Sequence, residues 1–221
     1  MPKSNDSSQN VPKPTLQRLP GYLKYLRMKN ELGTVSISAT IIANDLDLNE
    51  VQVRKDLASV MKGKGRPKTG YSVNELIHEI EIFLGYSNTK YALLAGAGYL
   101  GKALLSYKGF RNYGLDIVAA VETDKNIIGT YVNDKKIMSF SEMTSFCRQN
   151  NIHIGIIAVP SCNAQEVCDK MIESGILAIW NFSNIHLRVP PDILVQNEDM
   201  ASSLAVLSTY LDKMNGDKSS D

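Results

Sequence analysis

The sequence predicts an α/β protein: a small helical unit, then a parallel sheet with helical crossovers, then a lone terminal helix. Three observations predict it. Apolar residues recur at three- and four-residue steps through residues 14–61, short apolar runs alternate with helical patterns from Tyr91 to Phe182, and the charge changes sign between these regions. Residues 1–70 carry a net charge of +6 and residues 71–221 one of −5, hidden inside a total of +1. A basic first third on an acidic remainder is the balance of a nucleic-acid-binding module joined to another kind of domain.

Residues 1–13 are polar, lack an apolar signal-peptide core and read as a disordered arm. Pro14 to Gly33 reads as the opening helix, with Leu16, Leu19, Leu23 and Leu26 as its stripe and Gly33 as its end. Ser36 or Ser38 caps a second helix carrying Ile41, Ile42 and Leu46. Asp47-Leu48-Asn49 turns the chain, and Asn49 caps a third helix over Glu50–Met61 with Val53, Leu57, Val60 and Met61 as its buried stripe. Two helices around a tight turn make a helix-turn-helix, whose second helix enters the major groove of DNA.

The leading face of that third helix presents Gln52, Arg54 and Lys55. A carboxamide suits adenine, a guanidinium suits guanine, and an ammonium serves bases or phosphates. Lys62, Lys64, Arg66 and Lys68 then alternate with small residues up to Gly70-Tyr71. That is the pattern of a basic wing reaching phosphates or the minor groove. A helix over Tyr71–Tyr86 and a polar break at Ser87-Asn88-Thr89 close the unit, so residues 1–86 are predicted as a winged helix-turn-helix.

Tyr91–Ala95 reads as a buried strand running into Gly96-Ala97-Gly98-Tyr99-Leu100-Gly101 and a helix to Tyr107. A strand, a GxGxxG turn and a helix form a dinucleotide-binding unit. Gly96 permits the turn, Gly98 lets backbone approach a pyrophosphate, and Gly101 lets the helix pack closely on the strand. A second strand, Leu115–Val121, ends in Glu122, about 20 residues past the last glycine, where an acid binds ribose hydroxyls. Asp124 is the alternative ribose ligand, and either acid favours NAD(H) over NADP.

A helix over Phe140–Asn150, a strand Ile152–Val159, a helix Asn163–Glu173 and a strand Ile176–Phe182 continue the alternation. Residues 87–195 are therefore predicted as a Rossmann parallel sheet, with Val159, Pro160, Phe182 and Ser183 at strand ends on the nicotinamide side. Residues 196–221 hold an amphipathic helix, Glu198–Met214, whose Leu204, Leu207 and Leu211 stripe needs a cover, a dimer partner being the natural one.

Several function classes are excluded at this level. The longest apolar run, Ile154 to Pro160, is far below the roughly 18–20 residues of a membrane span. Cys147, Cys162 and Cys168 are too few and too oddly numbered for a disulfide framework, and no histidine stands at metal-ligand spacing from them. A reducing cytoplasm and no metal are expected. A dehydrogenase would need a substrate domain for which the chain has no room, and His78, His153 and His186 are dispersed.

From about Pro14 to Leu211 the chain resembles the Rex family of redox-sensing transcriptional repressors. The resemblance is carried by Thr15-Leu16-Gln17-Arg18-Leu19-Pro20, Gln52-Val53-Arg54-Lys55-Asp56-Leu57, the Gly96–Gly101 turn with Ala103-Leu104 and Tyr107-Lys108-Gly109-Phe110, Val159-Pro160 with Ala164-Gln165, and Gly175-Ile176 with Asn181-Phe182. It implies a homodimer with an exchanged C-terminal helix that binds pseudo-palindromic operator DNA and releases it when NADH replaces NAD+. It also implies DNA contacts from Arg54 and Lys55, and a polar switch between subunits formed by Tyr107 and Asp199 with Arg18 as the exchanging cation. The chain departs from the family pattern at Tyr99, Val121-Glu122, Ser183-Asn184, the wing and Met200, the last standing where an aromatic commonly packs near the nicotinamide. The alternative reading is a Rex-like DNA-binding paralogue with weak or lost redox response and another adenine ligand.

Overall fold

The computed structural model describes residues 11–61 and 70–216, and the chain divides after Asn88 into two compact units. The predicted wing cations Lys62, Lys64, Arg66 and Lys68 lie outside the described residues, as do the side chain of Met200 and most of the N-terminal arm.

The first unit opens with α1 (Lys13–Glu31), which Gly33 ends in the left-handed conformation at φ +79°. Its buried face is Thr15, Leu19, Tyr22, Leu23, Tyr25 and Leu26. Leu16, expected on that stripe, is 41% exposed, because Thr15 takes the inward position of the first turn and donates to Asp56 Oδ1 at 2.9 Å. Ser36 and Ile37 form a short strand, β1, so the cap of α2 (Ala39–Asp45) is Ser38, whose Oγ accepts the Ile41 N–H at 3.1 Å. Ile42 is buried on α2 while its neighbour Ile41 is largely exposed, as the 3.6-residue period requires of adjacent positions.

Asp47, at φ +51°, turns the chain, and Asn49 Oδ1 accepts the Gln52 N–H at the start of α3 (Glu50–Met61). The described chain resumes at Gly70. The helix expected from Tyr71 instead begins as a strand, β2 (Tyr71–Ser72), antiparallel to β1 with Ile37 opposite Tyr71. A Cβ on Gly70, at φ +76°, would stand 2.8 Å from the Ile37 carbonyl oxygen, so only glycine lets the two strands close here. Ser72 then caps α4 (Val73–Phe83), and Val73, Leu76 and Ile80 complete a core with α1, α2 and α3.

The second unit starts with β3 (Lys90–Ala95), α5 (Tyr99–Ser106), a 3-10 turn over Lys108–Tyr113 and β4 (Leu115–Glu122). It continues through β5 (Tyr131–Val132), β6 (Lys135–Ser139), a 3-10 turn Phe140–Glu142 and α6 (Met143–Gln149). β7 (Ile154–Ile157), α7 (Ser161–Glu173), β8 (Ala178–Asn181), β9 (Leu194–Asn197) and α8 (Met200–Gly216) complete it. The sheet order is β5-β6-β4-β3-β7-β8-β9, parallel throughout except the β5–β6 hairpin.

β5, β6 and β9 are strands the periodicity did not predict. β6 begins with Lys135-Lys136 and β9 is mostly exposed at the sheet edge, so neither carries a long apolar run. The two-residue Asn133-Asp134 turn, with Asn133 at φ +54°, is the signal that finds the hairpin. Within β3 the period of two divides the core: Leu93 and Ala95 face the α6–α7 side, Ala92 and Leu94 the α5 side.

Candidate functional site

The chain runs from β3 to β4 on one side and later returns with β7 on the other, so β3 is the switch point of the sheet. Ligands of open α/β sheets bind outside the strand carboxyl ends at such a point. A cavity of about 360 Å³ lies there, lined by Gly96 and Gly98 after β3, Glu122 and Thr123 after β4, Val159 and Pro160 after β7, and Phe140, Asn163, Glu166 and Val167.

The glycine turn is built for close approach. Gly96 has φ +95°, and a Cβ there would fall 2.6 Å from the Ala158 carbonyl oxygen. A Cβ on Gly101 would lie 1.9 Å from the Gly96 carbonyl oxygen, so α5 packs against its own turn only because that residue is glycine. Gly98 differs: no atom lies within 4 Å of its missing Cβ. Its side faces open space beside the α5 N-terminus, where free N–H groups and the helix dipole suit a phosphate. These residues fit a dinucleotide backbone.

Glu122 is turned into this site. Its Oε2 accepts the Ala97 N–H at 2.8 Å, and its Oε1 accepts from Thr123 N–H at 2.7 Å and Asp124 N–H at 3.4 Å. Burial pushes the Glu122 carboxyl up, and these backbone donors outweigh it, leaving the group below the usual carboxylate range. The carboxylate is ionised and held. Asp124 instead accepts from the Asn126 backbone and side chain and does not line the cavity.

Several predicted cofactor residues are not among those lining this cavity. Tyr99 is fully exposed and Leu100 is half-buried, neither among the lining residues. Phe182 packs on Trp180 with ring centroids 4.6 Å apart, and buried Ser183 donates from its N–H and hydroxyl to Asn181 Oδ1. Sheet order places β8 beside β7, where the Phe182 N–H donates to the Ile157 carbonyl at 2.9 Å, next to the cavity-lining Ala158 and Val159.

The switch residues each have a partner in the described chain. Asp199 caps α8 by accepting the Ser202 N–H at 3.0 Å and the Ser202 hydroxyl, and these bonds hold its carboxyl below the ordinary range. Tyr107 packs edge-on against Phe110 at 4.9 Å and is over half exposed. Arg18 grips Asp56, Nε to Oδ2 at 2.7 Å and Nη2 to Oδ1 at 2.9 Å.

On α3 the candidate DNA residues behave differently from one another. Lys55 is exposed and makes no hydrogen bond or ion pair with the described residues. Arg54 is exposed and donates back to Glu50 at 2.8 Å. Gln52 is half-buried, and its amide donates to Asp56 Oδ1 at 2.9 Å. Asp56 is the residue at the centre of these contacts that periodicity missed. It is 1% exposed and also accepts the Tyr22 hydroxyl at 2.8 Å. Its place three residues after Val53, on the buried stripe, is the signal that finds it.

Burial pushes the Asp56 carboxyl up, but hydrogen bonds from Arg18, Tyr22, Thr15 and Gln52 together bring it below the usual range. Desolvation and the same carboxylate push the Tyr22 phenol up to about 12. Burial likewise raises the Cys147 and Cys168 thiols to about 11, leaving inert core groups. Among the described residues no cluster of His, Cys, Asp and Glu could hold a metal, and no helix is long and apolar enough to cross a membrane.

Two family models match the chain: "CoA binding domain" over residues 87–185 and "Putative DNA-binding protein N-terminus" over residues 10–58. A redox-sensing transcriptional repressor Rex from Treponema denticola is 41% identical over 93% of this chain and 98% of its own length. One of the same name from Bacteroides fragilis is 39% identical over 92% of each chain. Among solved structures, the Rex-family repressor RSP in complex with β-NAD+ and operator DNA matches at a TM-score of 0.89, with 30% identity over 96% of this chain and 97% of that one. The same repressor with β-NADH matches at 0.84, with 29% identity over 96% and 99%.

Proposed function

This chain belongs to the Rex family of redox-sensing transcriptional repressors, and from that premise we propose that it binds operator DNA as a homodimer and releases it when NADH replaces NAD+. The observation that carries the reading is its likeness, over nearly the whole of both chains, to a repressor solved with β-NAD+ and operator DNA. Its relatives bear the names of repressors, and a regulator needs no catalytic constellation.

The residues divide the work. Gly96, Ala97, Gly98 and the α5 N-terminus carrying Tyr99, Leu100 and Gly101 hold the pyrophosphate, Glu122 the ribose hydroxyls, and Val159 and Pro160 a wall. When bound, the dinucleotide supplies a nicotinamide ring that is cationic when oxidised and neutral when reduced. Arg54 and Lys55 contact DNA directly. Gln52 joins them on leaving Asp56, and the wing cations add phosphate contacts.

The functional division is residues 1–86 for DNA, 87–195 for the dinucleotide and 196–221 for the exchanged helix. The α8 side chains Leu204, Val206, Leu207, Tyr210 and Leu211 are each more than half exposed in the single chain. A second copy covers them, bringing Tyr107, Asp199 and Arg18 within reach of partner groups. The protein acts in the cytoplasm. NADH shifts the equilibrium because it binds the arrangement that cannot hold DNA better than the one that can. Of the departures from the family pattern, Val121 and Glu122 line the cavity while Tyr99 and Ser183 do not.

The test is a fluorescence-anisotropy titration of a labelled duplex selected by the protein from a random pool. Saturating NADH is expected to weaken binding and NAD+ to preserve it. An affinity indifferent to NADH overturns the redox reading and leaves DNA binding alone.

A further inference from the structure

We propose that Glu166 reads the base of the bound nucleotide, selecting a purine with an amino group at carbon 6 over its 6-oxo counterpart. The proposal rests on the nucleotide reading of the cavity given above and names what that cavity recognises.

Among the described residues, the charged side chains lining the cavity are Glu122 and Glu166, both acids, with no lysine, arginine or histidine beside them. A carboxylate accepts hydrogen bonds and donates none. Two carboxylates without a cation repel a phosphate and demand donors from whatever fills the space. At about 360 Å³ the cavity is at the lower end of ligand pockets, which run from about 300 to 1,000 Å³. It suits the nucleoside part of a dinucleotide, with the phosphates outside beside Gly98.

The two acids are not equivalent. Glu122 is already held by the N–H groups of Ala97, Thr123 and Asp124. Glu166 makes no hydrogen bond or ion pair with the described residues, whereas its neighbour Gln165 is engaged with Asp169 and the Arg188 carbonyl. Glu166 is exposed, and neither of its oxygens is taken up by a described partner.

Helix α7 sets what Glu166 stands beside. Asn163, Glu166 and Val167 fall at spacings of three and four, so they share one helix face. Val167 is 5% exposed and Val121 1%, and with Phe140 and Val159 they give the cavity apolar walls suited to the flat faces of a base. Glu166 and Asn163, both exposed residues of the cavity lining, can offer an acceptor and a donor beside those walls. The edge of adenine offers the complement, a 6-amino donor beside ring-nitrogen acceptors. A 6-oxo purine turns an acceptor toward the carboxylate, which costs the bond and adds repulsion. Asn163 can exchange its donor for its acceptor, so the discrimination falls on Glu166.

The experiment titrates the full-length protein with NADH and with reduced nicotinamide hypoxanthine dinucleotide, following the fluorescence of the nicotinamide common to both. NADH is expected to bind about tenfold more tightly, the size of one lost charge-assisted hydrogen bond. Glu166→Gln, which can donate to a 6-oxo group, is expected to bring the two affinities within about threefold while the protein remains folded by circular dichroism. Equal affinities in the wild type, or undiminished discrimination in the variant, overturn this proposal alone. If neither dinucleotide binds, the redox reading fails and this proposal falls with it.

Discussion

Arg18 on α1 and Asp56 on α3 form a two-pronged ion pair, Nε to Oδ2 at 2.7 Å and Nη2 to Oδ1 at 2.9 Å, inside the DNA-binding unit. The carboxylate is 1% exposed and also holds Thr15, Tyr22 and Gln52. The cation that the family resemblance makes a switch therefore shares one anion with Gln52 of α3.

A pH dependence follows. The Asp56 carboxyl is depressed in the folded state. Its stabilisation is thus fully present above the ordinary carboxylate value of about 4 and is lost as pH falls through the lower folded value. Arg18→Met removes the guanidinium, leaves the carboxylate buried and costs roughly 3 kcal/mol at neutral pH. Circular dichroism during acid titration should place unfolding of the variant at higher pH than the wild type. An unchanged acid limb would show that the pair contributes little.

Two glycines of one turn predict opposite phenotypes. A Cβ on Gly101 meets the Gly96 carbonyl oxygen at 1.9 Å, whereas one on Gly98 meets nothing within 4 Å. Gly101→Ala is expected to lose about 1–3 kcal/mol of stability through overpacking. Gly98→Val is expected to keep its Tm and lose NADH binding by occupying the phosphate approach. Thermal melts and NADH fluorescence titrations of both variants separate the two effects, and a destabilised Gly98→Val refutes the assignment.

A second pair of acids tests the ribose assignment. Glu122 lines the cavity, while Asp124 is committed to Asn126. Glu122→Ala should weaken NADH at least about tenfold, the scale of one charge-assisted hydrogen bond, and Asp124→Ala by far less. Isothermal titration checks this, and the reverse order of effects would move the ribose site to Asp124.

On α3 Lys55 is exposed without a described partner, whereas Arg54 is paired with Glu50. Lys55→Ala is expected to lower operator affinity across sequences and to reduce the salt slope by about one if it contacts phosphate. Arg54→Ala is expected to relax specificity at one base position. Binding measured against salt concentration and against single-base variants distinguishes these roles.

The extent to which the site is legible depends on how local each signal is. Asn49 as a cap, α3 over Glu50–Met61, the Gly96–Gly101 turn and Glu122 at the end of β4 are all readable from neighbours in the chain. Caps, turns and periodicity act over a few residues, so local sequence suffices for the elements that carry the site and the order in which they follow. It also carried the charge asymmetry and the family pattern that point to DNA and a dinucleotide.

Tertiary structure alone decided which side chains meet. Ser36 became a strand residue because Tyr71 and Ser72 pair across from it. Phe182 is tied to the end of β7 through the Ile157 carbonyl, and Ser183 is buried against Asn181, because β8 pairs with β7 in the sheet. Gln52 reaches inward because Asp56, on the buried stripe, gathers donors from α1 as well as α3. Register, strand order and the pairing of a buried charge depend on residues tens of positions apart, and no local pattern encodes which distant partner satisfies them.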